Sequence, residues 1–516
     1  MKQLLFGLVL VLGSGPLFAQ DSSFIPVSLN DLSQFRTQSG NWVLAGNVII
    51  DPTRDVHDTV ARVTSVAAPE PKKKRRRKEK QQDTVAVAAV VDPVSITPGK
   101  GIIVNDTRTG KKDNLVTTWQ HGDIELELDV MVPKGSNSGI YLQGGYEVQV
   151  FDSWRAKHAS YGDMGGIYRN WEKDSATIYL GKAPSASAAK APGLWQHLSI
   201  SFRAPRFDGS GKKISNARFV YVKLNNVLIH EQIEVPQLTG GPLDNKEKAM
   251  GPLMIQGDHG SVALRNIRYK LLNDTKDSTT QKVGALKKIV PPEEMVSPVL
   301  VDVGNETKLL RAFYDFRGMG PVQRLTRTIA VGDPDGMHYI YNLGAGNIAA
   351  VWRGDFIDAT PMWHQRGDGS FMTRGVTQLL SAGPSVAELA DSSAAFPAKA
   401  DSLGFRSLGY TVHDRPAFQY NYKGNRISDR IWPDTATGAF IREISFDSLA
   451  SKNLYVKVAE GKSIDRNPGG DFLIDDKSWY IRLSAPEQAI IRTTAGGAKE
   501  LLVKVVGQPV RYSIIW

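Results

Sequence analysis

The sequence predicts an all-β protein: a sandwich or jelly roll followed by a second β-sandwich-like domain. Three observations carry this. Short runs of alternating apolar and polar residues recur along the chain, each bounded by turn residues. The 516 residues include 48 Gly and 27 Pro, a composition rich in turns. No segment of helical period of any length appears across the strands of the first half. A hydrophobic content of 41% with 22% charged residues fits a folded chain, and the length suits two to four domains.

The elements follow in order. Met1 to Ala19 reads as a secretory signal: Lys2 gives a positive start, Leu4 to Leu12 an apolar core, and Ala19 a small-residue end. The apolar run is too short to span a bilayer as a helix. Cleavage after Ala19 is therefore expected, with a periplasmic or secreted product and no transmembrane segment remaining. Residues 20–272 are the expected first domain. In it Trp42-Val43-Leu44 and Val48-Ile49-Ile50 flank Gly46-Asn47, a hairpin-type turn. Residues 52–99, poor in aromatics and rich in charge, Ala and Val, predict a flexible insertion. That insertion holds KKKRRRKEK at Lys72 to Lys80, which supplies +7 of the net +10 charge. Without aromatic residues to stack on bases, the run reads as a solvated linker and not as a nucleic-acid site. Adhesion to an anionic surface is the other reading.

Strands resume at Gly101 to Val104. In Gly122 to Val130, Ile124, Leu126, Leu128 and Val130 alternate with Glu125, Glu127 and Asp129, the pattern of a half-buried strand. Asn137 to Asp152, NSGIYLQGGYEVQVFD, then reads as a hairpin turning at Gly144-Gly145. Tyr146, Val148 and Val150 share one face of its second strand; Glu147, Gln149 and Phe151 share the other. Gly165 to Tyr168, Thr177 to Leu180, Trp195 to Arg203 and a hairpin over Phe219 to His230 are further expected strands. Leu253 to Asn266, LMIQGDHGSVALRN, is strand, polar turn and strand. A Pro-rich linker covers 273–298, and residues 299–516 return to β pattern, including Met337 to Leu343, Ile348 to Trp352 and Ala417 to Tyr422.

The absence of cysteine excludes a disulfide framework, a thiolate nucleophile, Cys-ligated zinc and covalent c-type haem. An exported chain without Cys suits a bacterial periplasm. An acid, an amide and an aromatic ring on one strand face suit a polar, ring-shaped ligand such as a sugar. The same pattern also serves an antiparallel face that only needs solubility.

The segments NSGIYLQGGYEVQVFDSW and GPLMIQGDHGSVALRNIRY, in this order, resemble the DUF1080 or 3-keto-disaccharide hydrolase family, over roughly Phe24 to Leu272. Members show Asn-Ser-Gly, a Glu-x-Gln-x-x-Asp strand, and a Leu-Gln-Asp-His-Gly turn. This chain departs at Gly257, which separates Gln256 from Asp258. The resemblance implies a concanavalin-like jelly roll, with Glu147 and Gln149 on its concave face, and a carbohydrate substrate bearing a 3-keto group. If the sheets close in that way, a carboxylate and an imidazole converge on the sugar, and the expected roles are His259 or Glu147 as base, Asp258 orienting His259, and Gln149, Gln256 and Tyr168 binding hydroxyls, with Asp152, His197 and Asn137 as further substrate-binding candidates. A 3-keto group acidifies the C2 proton, so the C1 substituent leaves by elimination and water adds back, unlike the two-carboxylate route of common glycosidases.

Each residue has a plainer role open to it. His259 can cap its turn, Asp152 can cap a strand end because it is out of phase with Glu147, and His197 can be a surface histidine. No cofactor is implied with certainty; a divalent metal on Glu147, Asp152, Asp258 and His259 stays open, without a ligand-spaced motif to support it. The stretches Ala349 to Gly369 and Leu408 to Tyr422 look like a β-rich module found beside cytochrome c and DUF1080 domains, with no activity to carry over. Trp352 and Trp363 there are expected in the core. The leading expectation is an exported enzyme on 3-keto glycosides. The alternatives are a non-catalytic lectin-like protein and a scaffold that docks a protein partner through its second domain.

Overall fold

The computed structural model describes residues 24–36, 39–57, 93–156, 158–174, 177–272, 297–318, 320–400, 404–447 and 453–516. The expected signal, the basic run and most of the linker lie outside the described residues. The first half forms β1 (Ile25–Pro26), β2 (Trp42–Ile50), β3 (Val94–Asn105), β4 (Leu115–His121), β5 (Ile124–Met131), β6 (Asn137–Leu142) and β7 (Tyr146–Phe151). It continues with β8 (Trp195–Arg203), β9 (Arg206–Phe207), β10 (Lys213–Ser215), β11 (Ala217–Leu224), β12 (Val227–Val235), β13 (Gly251–Ile255) and β14 (Ala263–Leu271). The architecture is all-β, as the alternation predicts.

Two large antiparallel sheets make the first body, with β9 and β10 forming a separate two-stranded ribbon. The larger has the order β12-β11-β8-β5-β14-β3-β2 with β1 beside β14; the smaller has the order β4-β13-β6-β7. They close on one core, into which β5 sends Ile124, Leu126, Leu128 and Val130 and the β6–β7 hairpin sends Ile140, Leu142, Tyr146, Val148 and Val150. Full burial of each such side chain contributes about 1.5–3 kcal/mol, which fixes the register of both sheets. A one-residue slip in β7 would bury Glu147 and Gln149 in that core.

Three local expectations are corrected. Gly46-Asn47 is no hairpin turn: β2 runs through it, pairing with β3 on both sides of a register shift at Ala45 to Asn47. Gly46 lies so close to Gly99 of β3 that neither has room for a side chain without movement. Residues 94–99, placed in the insertion, are therefore strand. Gly165 to Tyr168 and Thr177 to Leu180 form no ladder; Ile167 makes only single bridges, to Val148 and to Lys182. Extended backbone alone does not make a strand where the partner edge is one residue long.

Residues 300–515 form three sheets. Six strands between Leu300 and Leu379 make one, four between Val386 and Lys504 a second, and eight between Phe405 and Ile515 a third. Trp352 is fully buried there, whereas Trp363, on a one-turn helix, is 50% exposed and outside the core. The two bodies touch through an apolar cluster in which Ala191 and Leu194 meet Ala439, Leu473, Tyr480 and Ile515. Tyr480 Oη donates to Pro192 O at 3.0 Å and Trp195 N to Lys477 O at 3.2 Å across the same contact.

Candidate active site

The outer face of the smaller sheet carries the site. On β6 and β7 the residues not sent to the core pair across the ladder as Asn137 with Phe151, Gly139 with Gln149, and Tyr141 with Glu147. Gln143 and Gly144 hold the connecting turn at φ 54° and 65°. That three-residue loop sets the pairing and puts Tyr141 beside Glu147. From β13 comes Gln256, whose backbone N–H donates to Gly139 O at 2.9 Å. Gly139 is the floor of the arrangement: a Cβ there would collide with Glu147 Oε1 and with the Tyr141 ring. The missing side chain is the space that the Glu147 carboxyl occupies.

Glu147 is 2% exposed. Burial, with the nearby Asp258 charge adding to it, raises its pKa to about 8; a hydrogen bond from Tyr141 acts in the other direction. The Tyr141 hydroxyl donates to Gly240 O at 3.0 Å, and a phenol has one proton to give. Tyr141 is therefore a neighbour of Glu147 and not its donor, and burial dominates the shift. A pKa raised to about 8 favours the neutral carboxyl at pH 7. Thr239 Oγ1 accepts from Glu147 N at 3.0 Å, and Tyr168 N donates to Glu147 O at 3.1 Å. Both neighbouring segments are thus tied to the strand that presents the acid.

The turn after β13 adds the second group. His259 Nδ1 lies 2.6 Å from Asp258 Oδ1 and 3.1 Å from Gln256 Nε2. The closer, charged acceptor favours the proton on Nδ1, leaving Nε2 with its lone pair. His259 is 53% and Asp258 41% exposed at the side chain, so this pair opens to solvent where Glu147 does not. Gly257, the departure from the usual turn, packs against Asp113 O and has no room for a Cβ. Its N–H donates to Asn114 Oδ1 at 2.9 Å.

Glu147, Gln149, Asn137, Gln256, Asp258, His259 and Tyr168 therefore share one neighbourhood. Gln149 is 4% exposed and turns Oε1 to its own neighbour Val150 N at 2.9 Å. Asn137 Oδ1 is buried without a hydrogen-bond partner among the described residues, an acceptor in want of a donor. Two candidates lie elsewhere. His197 stands on β8 in the larger sheet, opposite Asp129 of β5. Its Nδ1 lies 2.9 Å from Asp129 Oδ1 and its Nε2 3.3 Å from Ser199 Oγ, on the far side of the sandwich core. Asp152, just past the end of β7, accepts from Gly135 N at 3.1 Å. Among the described residues no group of three or more His, Asp or Glu is close enough to hold a metal ion.

Sequence reasoning missed Tyr141, Gly139 and Trp171. The first two could have been found by pairing the hairpin residue by residue. Trp171 could not, because it arrives on a loop. It is 63% exposed, and its indole covers Gly240 and Gly241, next to the Tyr141 hydroxyl.

Residues 71–270 match the model of a family described as 3-keto-alpha-glucoside-1,2-lyase-like domain. Crystal structures from Parabacteroides distasonis, provisionally called glycosyl hydrolases, are similar to the chain. One is 26% identical, covers 33% of this chain and 72% of that chain, and has a TM-score of 0.28. Another is 21% identical, covers 33% and 87%, and has a TM-score of 0.23. A carbohydrate-binding module from Bacillus subtilis is 9% identical over 31% of this chain and 81% of that chain, with a TM-score of 0.20. No curated protein matches the chain.

Proposed function

We propose that the protein is a hydrolase or lyase that cleaves 3-keto glycosides, with the reacting sugar ring lying over Gly139 between Glu147 and His259. The observation that carries this reading is a neutral, buried carboxyl beside an outward-facing imidazole that is oriented by its own carboxylate. Two titratable groups held in opposite environments are what acid and base roles require. The match of residues 71–270 to a 3-keto-alpha-glucoside-1,2-lyase-like domain supports the substrate class.

In this reading His259 Nε2 takes the C2 proton, and the electron pair moves toward the 3-keto oxygen. Its return expels the C1 alkoxide, which takes the proton of the Glu147 carboxyl. For net hydrolysis, water adds to C1 and gives a proton to Glu147, while His259 returns its proton to C2. Both groups end as they began. Asp258 is a positioning residue that holds the imidazole tautomer. Asn137, Gln149, Gln256 and Tyr168 are left to bind hydroxyls. With the apolar run of Met1 to Ala19, the chain is further proposed to be exported. Among the described residues no helix is long and apolar enough to cross a membrane.

The test is a panel of 3-keto and unoxidised glycosides offered to the wild type, Glu147→Gln and His259→Ala, with and without chelator. The expected result is turnover of the oxidised set alone, lost in both variants. Wild-type rates in both variants would remove the two residues from the chemistry. Binding of the panel without turnover would leave a lectin-like protein instead.

A further inference from the structure

Between the two β bodies lies an open cavity of about 550 Å³ that the proposed chemistry does not use. Phe151, Asp152 and Trp154 line it from the end of β7 and the turn beyond; Lys134 and Arg155 flank them, and Thr437 closes it from the second body. Clefts between domains are where small-molecule sites concentrate. The charges are engaged but not used up. Lys134 Nζ donates to Thr53 O at 3.0 Å, Arg155 Nη2 to Thr435 O at 2.9 Å, and Asp152 accepts a single N–H at 3.1 Å. Ammonium, guanidinium and carboxylate groups all keep further hydrogen-bonding capacity after one such bond. The lining cations stand beside Asp152 and Asp163, and Arg482 is paired with Asp471 at 2.6 Å, so no excess of one sign favours an ion. Donors and acceptors in balance, beside an indole and a phenyl ring, match a neutral polyhydroxylated ligand with apolar C–H faces: a saccharide.

The indole is held in place. Arg353 stacks on Trp154 at 4.8 Å and on Trp516 at 4.4 Å, and its guanidinium donates to Gly438 O. Burial, with Arg155 close by, lowers the pKa of Arg353 to about 9. A Cβ on Gly438 would come 2.9 Å from the Trp154 ring, so the second body grips this side chain directly. Phe151 lies on the same face of β7 as Glu147, four residues further along, which is about 13 Å of strand.

We propose that this cavity is a second saccharide subsite, built jointly by both bodies, that takes a neutral sugar unit of the glycoside whose reacting ring lies over Gly139. The link to catalysis rests on the function proposed above; the binding of a saccharide does not. The test is saturation-transfer NMR on the full chain with glucose, sucrose, trehalose and cellobiose as probes. At least one disaccharide is expected to bind. Thr437→Trp, which narrows the cavity, should weaken it about tenfold, and Arg155→Ala, which removes a lining donor, about threefold. Binding by none of the four probes, or wild-type binding in both cavity variants, overturns the subsite. In a kinetic arm, Thr437→Trp should raise KM for a 3-keto disaccharide about fivefold and leave methyl 3-keto-glucoside within about twofold. Equal effects on both overturn the link to the reacting ring. If the wild type turns over neither substrate, the catalytic reading alone fails, and the cavity stands or falls on the NMR titration.

Discussion

The two faces of the first body carry the same kinds of side chain in opposite circumstances. On the smaller sheet, Glu147 is buried with no cation in contact among the described residues, and its pKa rises to about 8. On the larger sheet, Asp129 is pushed the other way. Burial there tends to raise it, but hydrogen bonds from His197 and Asn266 and the charge of Arg265 win, and the pKa is lowered. His197 reaches Asp129 and Ser199, a chain of contacts resembling a catalytic relay. Yet it sits among ion pairs on a half-exposed sheet surface, where backbone N–H groups are already used in the ladder. The difference teaches that a carboxylate beside an imidazole is not a site by identity. The absence of a compensating cation among the described residues, and a glycine floor that lets the carboxyl fold inward, separate Glu147 from Asp129.

The comparison can be broken most sharply by activity. Glu147→Gln is expected to lower turnover of a 3-keto glycoside by about 10²–10⁴-fold, the usual contribution of a positioned acid. His259→Ala should cost about 10²-fold, and Asp258→Asn less, about tenfold, with a changed pH profile because the tautomer is no longer held. His197→Ala, on the opposite face, should leave kcat within about twofold; a loss as large as that of His259→Ala would mean the wrong face has been chosen.

Stability against pH sharpens the same contrast. A carboxyl whose folded pKa lies above its unfolded value contributes stability that is complete below the unfolded pKa and lost as pH rises through the folded one. For Glu147 that window runs from about 4.5 to about 8. Thermal melts should therefore show Glu147→Gln gaining on the wild type between pH 5 and pH 9. Asp129, with a lowered pKa, has the opposite sign: its contribution is present above the unfolded value near 3.8 and fades as pH falls below it. Gly139→Ala gives the smallest effect on global stability, about 1–3 kcal/mol from overpacking. It should also expel the Glu147 carboxyl and remove its titration near pH 8, which can be followed by side-chain carboxyl NMR.

Much of this was legible beforehand. The alternation of β5 and β7 specifies which side chains meet the core, because period two leaves no third face. The hairpin and the Gln256–His259 turn stood out as polar residues set between apolar strands. What failed were features that depend on partners: the hairpin expected at Gly46-Asn47, the strands expected around Ile167, and the burial expected for Trp363. Each is set by the edge or surface that packs there, which no local pattern encodes.

By itself, then, the sequence determined the strand faces and the residue types of the candidate site, since local backbone geometry enforces both. Only the tertiary structure decided which acid would be neutral and which ionised. A pKa depends on burial and on charges brought from distant strands, and the β7–β13 neighbourhood and the cavity between the bodies exist only once those strands are assembled.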